Sequence, residues 1–245
     1  MDPKGKAALV TGGARIGRTV AEELARRGCD VALTYRGSRQ SAEETAEAAR
    51  ALGARALTVQ ADLTLPTAAR AVVGEVTRGL GRLDILIAMA SLYEKTPYER
   101  LDEGAWRANM DANLRGTYLL ALEAAPLMKA RGAGRIVTFA DWLPVSGRPR
   151  YRGYLPYYVS KAGVVGLTQS LALELAPEIL VNAVAPGPIL KPPGFSDEAD
   201  RQVRKVTPLK RWGGPLEIAK AVLFLIDTEF VTGECLRVDG GRHLH

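Results

Sequence analysis

Short apolar runs alternate with longer amphipathic stretches along this chain. Lys6–Thr11, Asp30–Tyr35, Arg55–Ala61, Leu83–Ala88, Arg135–Ala140, Leu180–Ala185 and Cys235–Val238 are brief and rich in Val, Ile, Leu and Ala. Such runs read as strands buried on both faces. Between them, Arg18–Arg27, Ser41–Leu52, Pro66–Gly79, Asn113–Arg131, Tyr157–Leu175 and Pro215–Leu225 read as helices. Gly28 and Gly53 supply stops for the first two. Strands separated by helices predict a parallel sheet of about seven strands with helices on both faces, a doubly wound α/β fold. Gly187 to Thr207 has no strong period and is rich in proline and charge, the expectation for a functional loop over a site. No linker, repeat or low-complexity tract divides residues 1–245, so a single domain is expected.

Composition narrows the function classes. Hydrophobic residues make up 47% of the chain but aromatics only 6%, so aliphatic side chains must fill the core. The net charge of +6 is spread along the chain without an aromatic-interleaved basic stripe, which argues against a nucleic-acid partner. Cys29 and Cys235 are far apart and form neither a disulfide framework nor a zinc spacing, which suits a reducing, cytoplasmic setting. The only histidines are His243 and His245, so an interior Ser-His-Asp triad or a histidine-ligated metal is excluded. Met1-Asp2-Pro3-Lys4-Gly5 runs directly into an apolar strand, and neither a signal peptide nor a membrane span is expected.

Two patterns carry chemistry. Tyr157 and Lys161 are one helical turn apart and share a face. An ammonium group near a phenol favours the phenolate, which would lower the Tyr157 pKa and make it a usable acid or base. After the first strand, Thr11-Gly12-Gly13-Ala14-Arg15-Ile16-Gly17 leads into a helix. Glycines at that junction allow a tight turn, and amides at a helix N-terminus bind pyrophosphate, as in Rossmann-type dinucleotide folds. The second strand ends in Tyr35-Arg36-Gly37-Ser38-Arg39 with no carboxylate. An arginine there favours the 2′-phosphate of NADP(H), with Arg15 as a second contact. Asp62, followed by Leu63, ends the third strand and is a candidate partner for the adenine amino group.

Together these motifs resemble the short-chain dehydrogenase/reductase family over almost the whole chain. The resemblance also takes in Asn113-Leu114-Arg115-Gly116, Gly134-Arg135-Ile136-Val137, Val181 to Gly187, Thr232-Gly233 and Val238-Asp239-Gly240-Gly241. It implies that Tyr157 is the acid/base and that Lys161 is its partner and a ribose contact. It implies that Asn113 holds a relay water and that Pro186 and Gly187 flank the nicotinamide. Asn113 could instead cap the helix that it opens. A homotetramer is implied by the family resemblance alone.

Three departures from the family pattern stand out. Gly12 and Gly17 are one residue closer than usual, and Ala14 stands where the general fingerprint has a glycine. The usual Asn-Asn-Ala-Gly reads Ala88-Met89-Ala90-Ser91. Asp141 takes the place of the family's serine. An ionised carboxylate accepts hydrogen bonds and does not donate, so it suits a substrate bearing N–H groups. Pteridine reductases resemble this chain at Tyr35 to Ser38, at Ala90-Ser91, and at Asp141 with Tyr157 and Lys161. That resemblance implies substrate contacts from Ser91, Tyr93 and Asp141, with Tyr93 stacking on a flat ring. The leading expectation is thus an NADPH-dependent reductase of C=O or C=N bonds with a pteridine-type substrate. The alternatives are a 3-oxoacyl-carrier-protein or general carbonyl reductase, and a non-catalytic binding scaffold. Specificity is expected in Trp142 to Pro156 and in Gly187 to Thr207.

Overall fold

The computed structural model describes residues 1–147 and 151–244. The chain opens with β1 (Ala7–Thr11), α1 (Ile16–Arg26), β2 (Asp30–Tyr35), α2 (Arg39–Ala51), β3 (Ala56–Gln60), α3 (Ala68–Leu80) and β4 (Ile85–Ala88). It continues through α4 (Glu103–Asn109), a wide π-type turn at Met110–Arg115, α5 (Gly116–Lys129), β5 (Gly134–Phe139) and α6 (Trp142–Val145). Then come α7 (Leu155–Leu175), β6 (Ile179–Pro186), α8 (Asp197–Val206), α9 (Pro215–Asp227) and β7 (Cys235–Val238). All strands pair in parallel in the order β3-β2-β1-β4-β5-β6-β7. The expected doubly wound sheet of seven strands is the observed one.

Alternation along the strands explains the two layers of helices. Ala8 and Val10 of β1 face Val20 and Leu24 of α1 and Ile218 and Val222 of α9. Ala7 and Leu9 face the other side, toward Val72 and Val76 of α3 and Leu120 and Met128 of α5. Successive residues on a strand point to opposite faces, so a strand covered on both sides must be apolar at every position. Leu9, Leu33, Ile85, Leu86 and Ile87 are fully buried, and each contributes roughly 1.5–3 kcal/mol by leaving water.

Three segments differ from the sequence-based expectation. The helix expected from Asn113 begins earlier, at Glu103, where the Asp102 carboxylate caps it by accepting from the Ala105 amide at 2.7 Å. The Gly187 to Thr207 stretch contains α8, whose apolar positions are too sparse to give a clear stripe. Ser196 caps it, with Asp197, Glu198 and Asp200 in its first turn and Arg204 and Lys205 in its last. That charge order opposes the helix dipole favourably. Within Trp142 to Pro156, the first four residues form α6. Arg148, Pro149 and Arg150 of that segment, and His245, lie outside the described residues.

The strand order reverses between β1 and β4, with α1 after β1 on one face and α5 after β4 on the other. A crevice opens beyond the carboxyl ends of two such strands, and ligands of this fold class bind there.

Candidate active site

That crevice is a cleft of about 450 Å³. Gly12, Gly13 and Ala14 form its floor, Tyr35, Arg36 and Ser38 line the β2 side, Asp62 and Leu63 the β3 side, and Ala90 and Ser91 the β4 side. Gly12 has φ +78°, which a glycine adopts without a steric penalty. At Gly17 a β-carbon would stand 2.1 Å from the Gly12 carbonyl oxygen, so only glycine fits. In this shortened loop Arg15 has φ 55° and ψ −111°, a positive-φ conformation that costs a non-glycine residue energy. Asp62 Oδ1 accepts from the Thr64 amide at 3.0 Å and its hydroxyl at 2.7 Å. Those bonds hold the Asp62 carboxyl below its ordinary range, with a lesser contribution from Arg36. The other carboxylate oxygen is left to accept from a ligand. With exposed Arg36 and no acid at the end of β2, the donor set fits a dinucleotide carrying a 2′-phosphate.

The loop after β4, which lacks the asparagines of the family pattern, is held from β1. Thr11 Oγ1 accepts from the amides of Met89 and Ala90, both at 3.0 Å, and so ties the end of β4 to β1. Sequence reasoning missed this role, because a threonine inside a strand carries no signal of its own.

Tyr157, Lys161 and Asp141 meet around the end of β5. The Tyr157 hydroxyl donates to Asp141 Oδ2 at 2.8 Å. Asp141 Oδ1 accepts from the Leu143 amide at 2.9 Å and thereby caps α6. Lys161 Nζ donates to the Phe139 carbonyl at 2.7 Å and lies 5.9 Å from the centre of the Tyr157 ring. Tyr157 and Lys161 are both buried. Burial pushes the Asp141 carboxyl up, against the opposing effects of its two donors and Lys161. Burial and then the charge of Asp141 push the Tyr157 phenol well above its ordinary value. Burial brings the Lys161 ammonium down to about 8, and Asp141 opposes that fall. The direction at Tyr157 corrects the sequence-based expectation. A lysine one turn away would lower the phenol pKa if charge alone acted, but desolvation and a touching carboxylate outweigh it.

Asn113 lies inside the π-type turn and does not cap a helix start. Its Oδ1 accepts from the Ser91 hydroxyl at 3.0 Å and the Leu92 amide at 2.7 Å. Its Nδ2 donates to the Leu92 carbonyl at 3.1 Å and to Ser160 Oγ at 2.9 Å. One side chain thus pins the loop after β4 to α7. Tyr93, in that loop, stacks on Tyr154 at 4.8 Å with an interplanar angle of 17° and meets Tyr157 edge-on at 4.8 Å. Tyr151 and Trp142 extend this aromatic wall. Tyr154, Tyr151 and Trp142 were not singled out in the sequence, although three aromatics close to Tyr157 and Asp141 were a visible cue.

Of the residues expected at the site, the cleft collects Gly12, Tyr35, Arg36, Ser38, Asp62, Leu63 and Ser91. Arg15, Ile16, Gly17, Pro186 and Gly187 stand outside its lining. Ile16 packs against the core, and Gly187 abuts Asp239, where a β-carbon would come within 2.5 Å. No cluster of metal-ligating side chains occurs among the described residues. No described helix is long and apolar enough to cross a membrane. The arrangement can hold a dinucleotide beside a buried phenol whose proton is shared with a carboxylate.

Comparison with known proteins agrees with this geometry. The family model described as enoyl-(acyl carrier protein) reductase matches residues 12–243. The 3-oxoacyl-[acyl-carrier-protein] reductase FabG of Staphylococcus aureus is 36% identical, over 98% of each chain. Its counterpart from Aquifex aeolicus is 34% identical over 97% of each. Among solved structures, a short-chain dehydrogenase from Burkholderia cenocepacia in complex with NADP has a TM-score of 0.91 and 34% identity, covering 99% of both chains. An NADPH-dependent 3-quinuclidinone reductase from Rhodotorula rubra has a TM-score of 0.90 and 30% identity, covering 100% of this chain and 93% of that one. The similarity to pteridine reductases rests on the individual positions named in the sequence analysis. The relatives from Staphylococcus aureus and Aquifex aeolicus are 3-oxoacyl-[acyl-carrier-protein] reductases.

Proposed function

The chain belongs to the short-chain dehydrogenase/reductase family and is an NADP-dependent oxidoreductase, and from that premise we propose that it reduces a ketone of the 3-oxoacyl kind with Tyr157 as the acid. The observation that carries the proposal is the buried Tyr157 phenol with Lys161 one turn on, its ammonium 5.9 Å from the ring centre. NADPH, when bound, supplies a hydride to the carbonyl carbon. Tyr157 gives its proton to the carbonyl oxygen as negative charge gathers there. The Lys161 ammonium offsets the charge left on the phenolate. Asn113 holds the loop carrying Ser91 and Tyr93 against α7, which fixes one wall of the substrate space. Arg36 would hold the 2′-phosphate and Asp62 the adenine, and Pro186 and Gly187 would flank the nicotinamide. The relay-water role of Asn113 is part of the same proposal.

Asp141 and the aromatic wall favour a second reading. A carboxylate beside Tyr157 weakens that phenol as an acid unless the substrate brings hydrogen-bond donors of its own. A flat nitrogen heterocycle of the pteridine type brings such donors and has faces that Tyr93 and Tyr154 can stack on. NADPH oxidation on an acetoacetyl thioester, a small ketone and 7,8-dihydrobiopterin separates the readings. Turnover on the thioester above the pterin supports the first, and the reverse order supports the second. No turnover on any of them refutes both. Asp141→Ser sharpens the result. On the second reading it weakens pterin turnover and spares the ketone.

The same proposal extends to assembly and setting. Tyr118 and Leu122 on α5 and Leu173 on α7 are 43%, 50% and 82% exposed, and they supply an apolar outer face for a second copy. A homotetramer is proposed, with sedimentation velocity as its test. A cytoplasmic location suits the unpaired Cys29 and Cys235 thiols.

A further inference from the structure

We propose that Arg242, in the C-terminal turn, holds α6 in place and through it positions the Asp141 carboxylate against Tyr157. The proposal rests on the reading of Asp141 and Tyr157 as groups of the reacting site. α6 has four residues, far too few to be stable alone. Asp141 is its N-cap, with one carboxylate oxygen on the Leu143 amide and the other on the Tyr157 hydroxyl. Any drift of α6 therefore moves the carboxylate relative to the phenol.

Besides its packing on α7, α6 has two restraints from the far end of the chain. The Arg242 guanidinium carbon lies 5.4 Å from the centre of the Trp142 ring, the first residue of α6, and that ring is buried. A cation over an indole face, shielded from water, is among the stronger contacts of its kind. At the other end of α6, Arg237 of β7 donates to the Val145 carbonyl at 3.4 Å. Arg242 Nη1 also donates to the Val206 carbonyl at the end of α8, at 3.0 Å. One guanidinium thus joins the segment bearing Asp141 to the segment that follows β6.

The turn that presents Arg242 is itself built tightly. Buried Asp239 accepts from the Gly241 amide at 3.0 Å, from the His243 amide at 2.9 Å and pairs with His243 Nδ1 at 2.7 Å. Gly240 and Gly241 have φ +63° and +81°. A β-carbon on either would come within 3.0 Å of Thr207 or Pro208. The two glycines let the turn press directly on the end of α8, and that places the guanidinium over Trp142.

Amide hydrogen exchange on the full chain tests the proposal, with Arg242→Ala, Arg242→Lys and Trp142→Leu. Arg242→Ala should speed exchange at Leu143 and Ser146 at least ~10-fold while β5 and α9 keep their rates. Trp142→Leu, which removes the other partner, should do the same, and Arg242→Lys should recover most of the protection. In parallel, kcat for NADPH-dependent reduction of ethyl acetoacetate should rise on the order of a few-fold in Arg242→Ala, because the carboxylate that weakens the Tyr157 acid is no longer held against it, with KM for NADPH unchanged; a fall overturns the proposal. Unchanged exchange at Leu143 and Ser146, or faster exchange spread equally into β5, overturns the proposal. So does faster local exchange with an unaltered kcat. If the parent enzyme reduces no ketone, the reading of the reaction fails, and the exchange comparison still decides whether Arg242 holds α6.

Discussion

The two ends of the site are built from different materials. At the β1–β2 end, backbone does the work: Gly12 turns the loop at positive φ, Gly17 leaves no room for a β-carbon against the Gly12 carbonyl, and Arg36 waits exposed at the rim. At the β5–α7 end, buried side chains do it: Tyr157 donates to Asp141 at 2.8 Å, and Lys161, beside the Tyr157 ring, donates to the Phe139 carbonyl at 2.7 Å. An exposed rim in water gives selectivity through one charge-assisted contact, which screening limits. A desolvated cluster shifts every ionisation in it, so a change in one member alters the others. The comparison predicts that damage at the first end is read mainly in binding, and damage at the second mainly in rate and pH dependence.

The largest expected effect blurs that division. Lys161→Ala should lower turnover on the order of 10³-fold, the middle of the range for losing a group in acid catalysis. It should weaken NADPH binding as well, because Lys161 serves both ends, and an unaltered NADPH titration would show that it serves only one. Arg36→Ala should leave kcat nearly intact and remove most of an NADPH-over-NADH preference of roughly 10- to 100-fold. Equal affinity for the two nucleotides in the parent enzyme would remove Arg36 from the account. Gly17→Ala should cost about 1–3 kcal/mol by forcing the Gly12 carbonyl aside. Calorimetry should show a lower Tm that saturating NADPH restores only in part, and an unchanged Tm would mean that the loop relaxes freely.

The smallest effect sharpens the comparison most. Lys161 is charged below about 8 and neutral above it. The charged form offsets the phenolate, so kcat should fall on the alkaline side with a midpoint near that value. Asp141 acts to raise the Lys161 pKa. Removing its charge in Asp141→Ser should therefore move the alkaline limb to lower pH. A limb that stays fixed, or moves up, would mean that the three groups do not titrate together.

What the sequence revealed follows the same division. The strands were legible because a parallel strand covered on both faces must be apolar throughout, as at Ala7 to Val10. The glycine loop was legible because steric demands on backbone write themselves as residue identity. Tyr157 and Lys161 were legible as a pair because one helical turn separates them. The hydrogen bond from Tyr157 to Asp141 was not, because sixteen positions separate the two in the sequence and no period links them. The direction of the Tyr157 shift was misjudged for a related reason: a sequence gives the neighbouring charge but not the depth of burial. α8 escaped notice because its stability comes from Ser196 and from charges ordered along its axis, not from an apolar stripe. Lys161 resting on the Phe139 carbonyl and Thr11 tying the β4 end are contacts to backbone, which leaves no trace in a list of side chains.

The central claim is that proton delivery belongs to the buried cluster and cofactor grip to the glycine and Arg36 end. Tyr157→Phe removes one hydroxyl and keeps the ring, the helix and the whole first end. NADPH affinity and the rate of NADPH oxidation with the best substrate should be measured on the same folded sample. The account predicts a rate at least ~100-fold lower with NADPH affinity within about twofold of the parent. A near-normal rate, or a loss of affinity that matches the loss of rate, would contradict it.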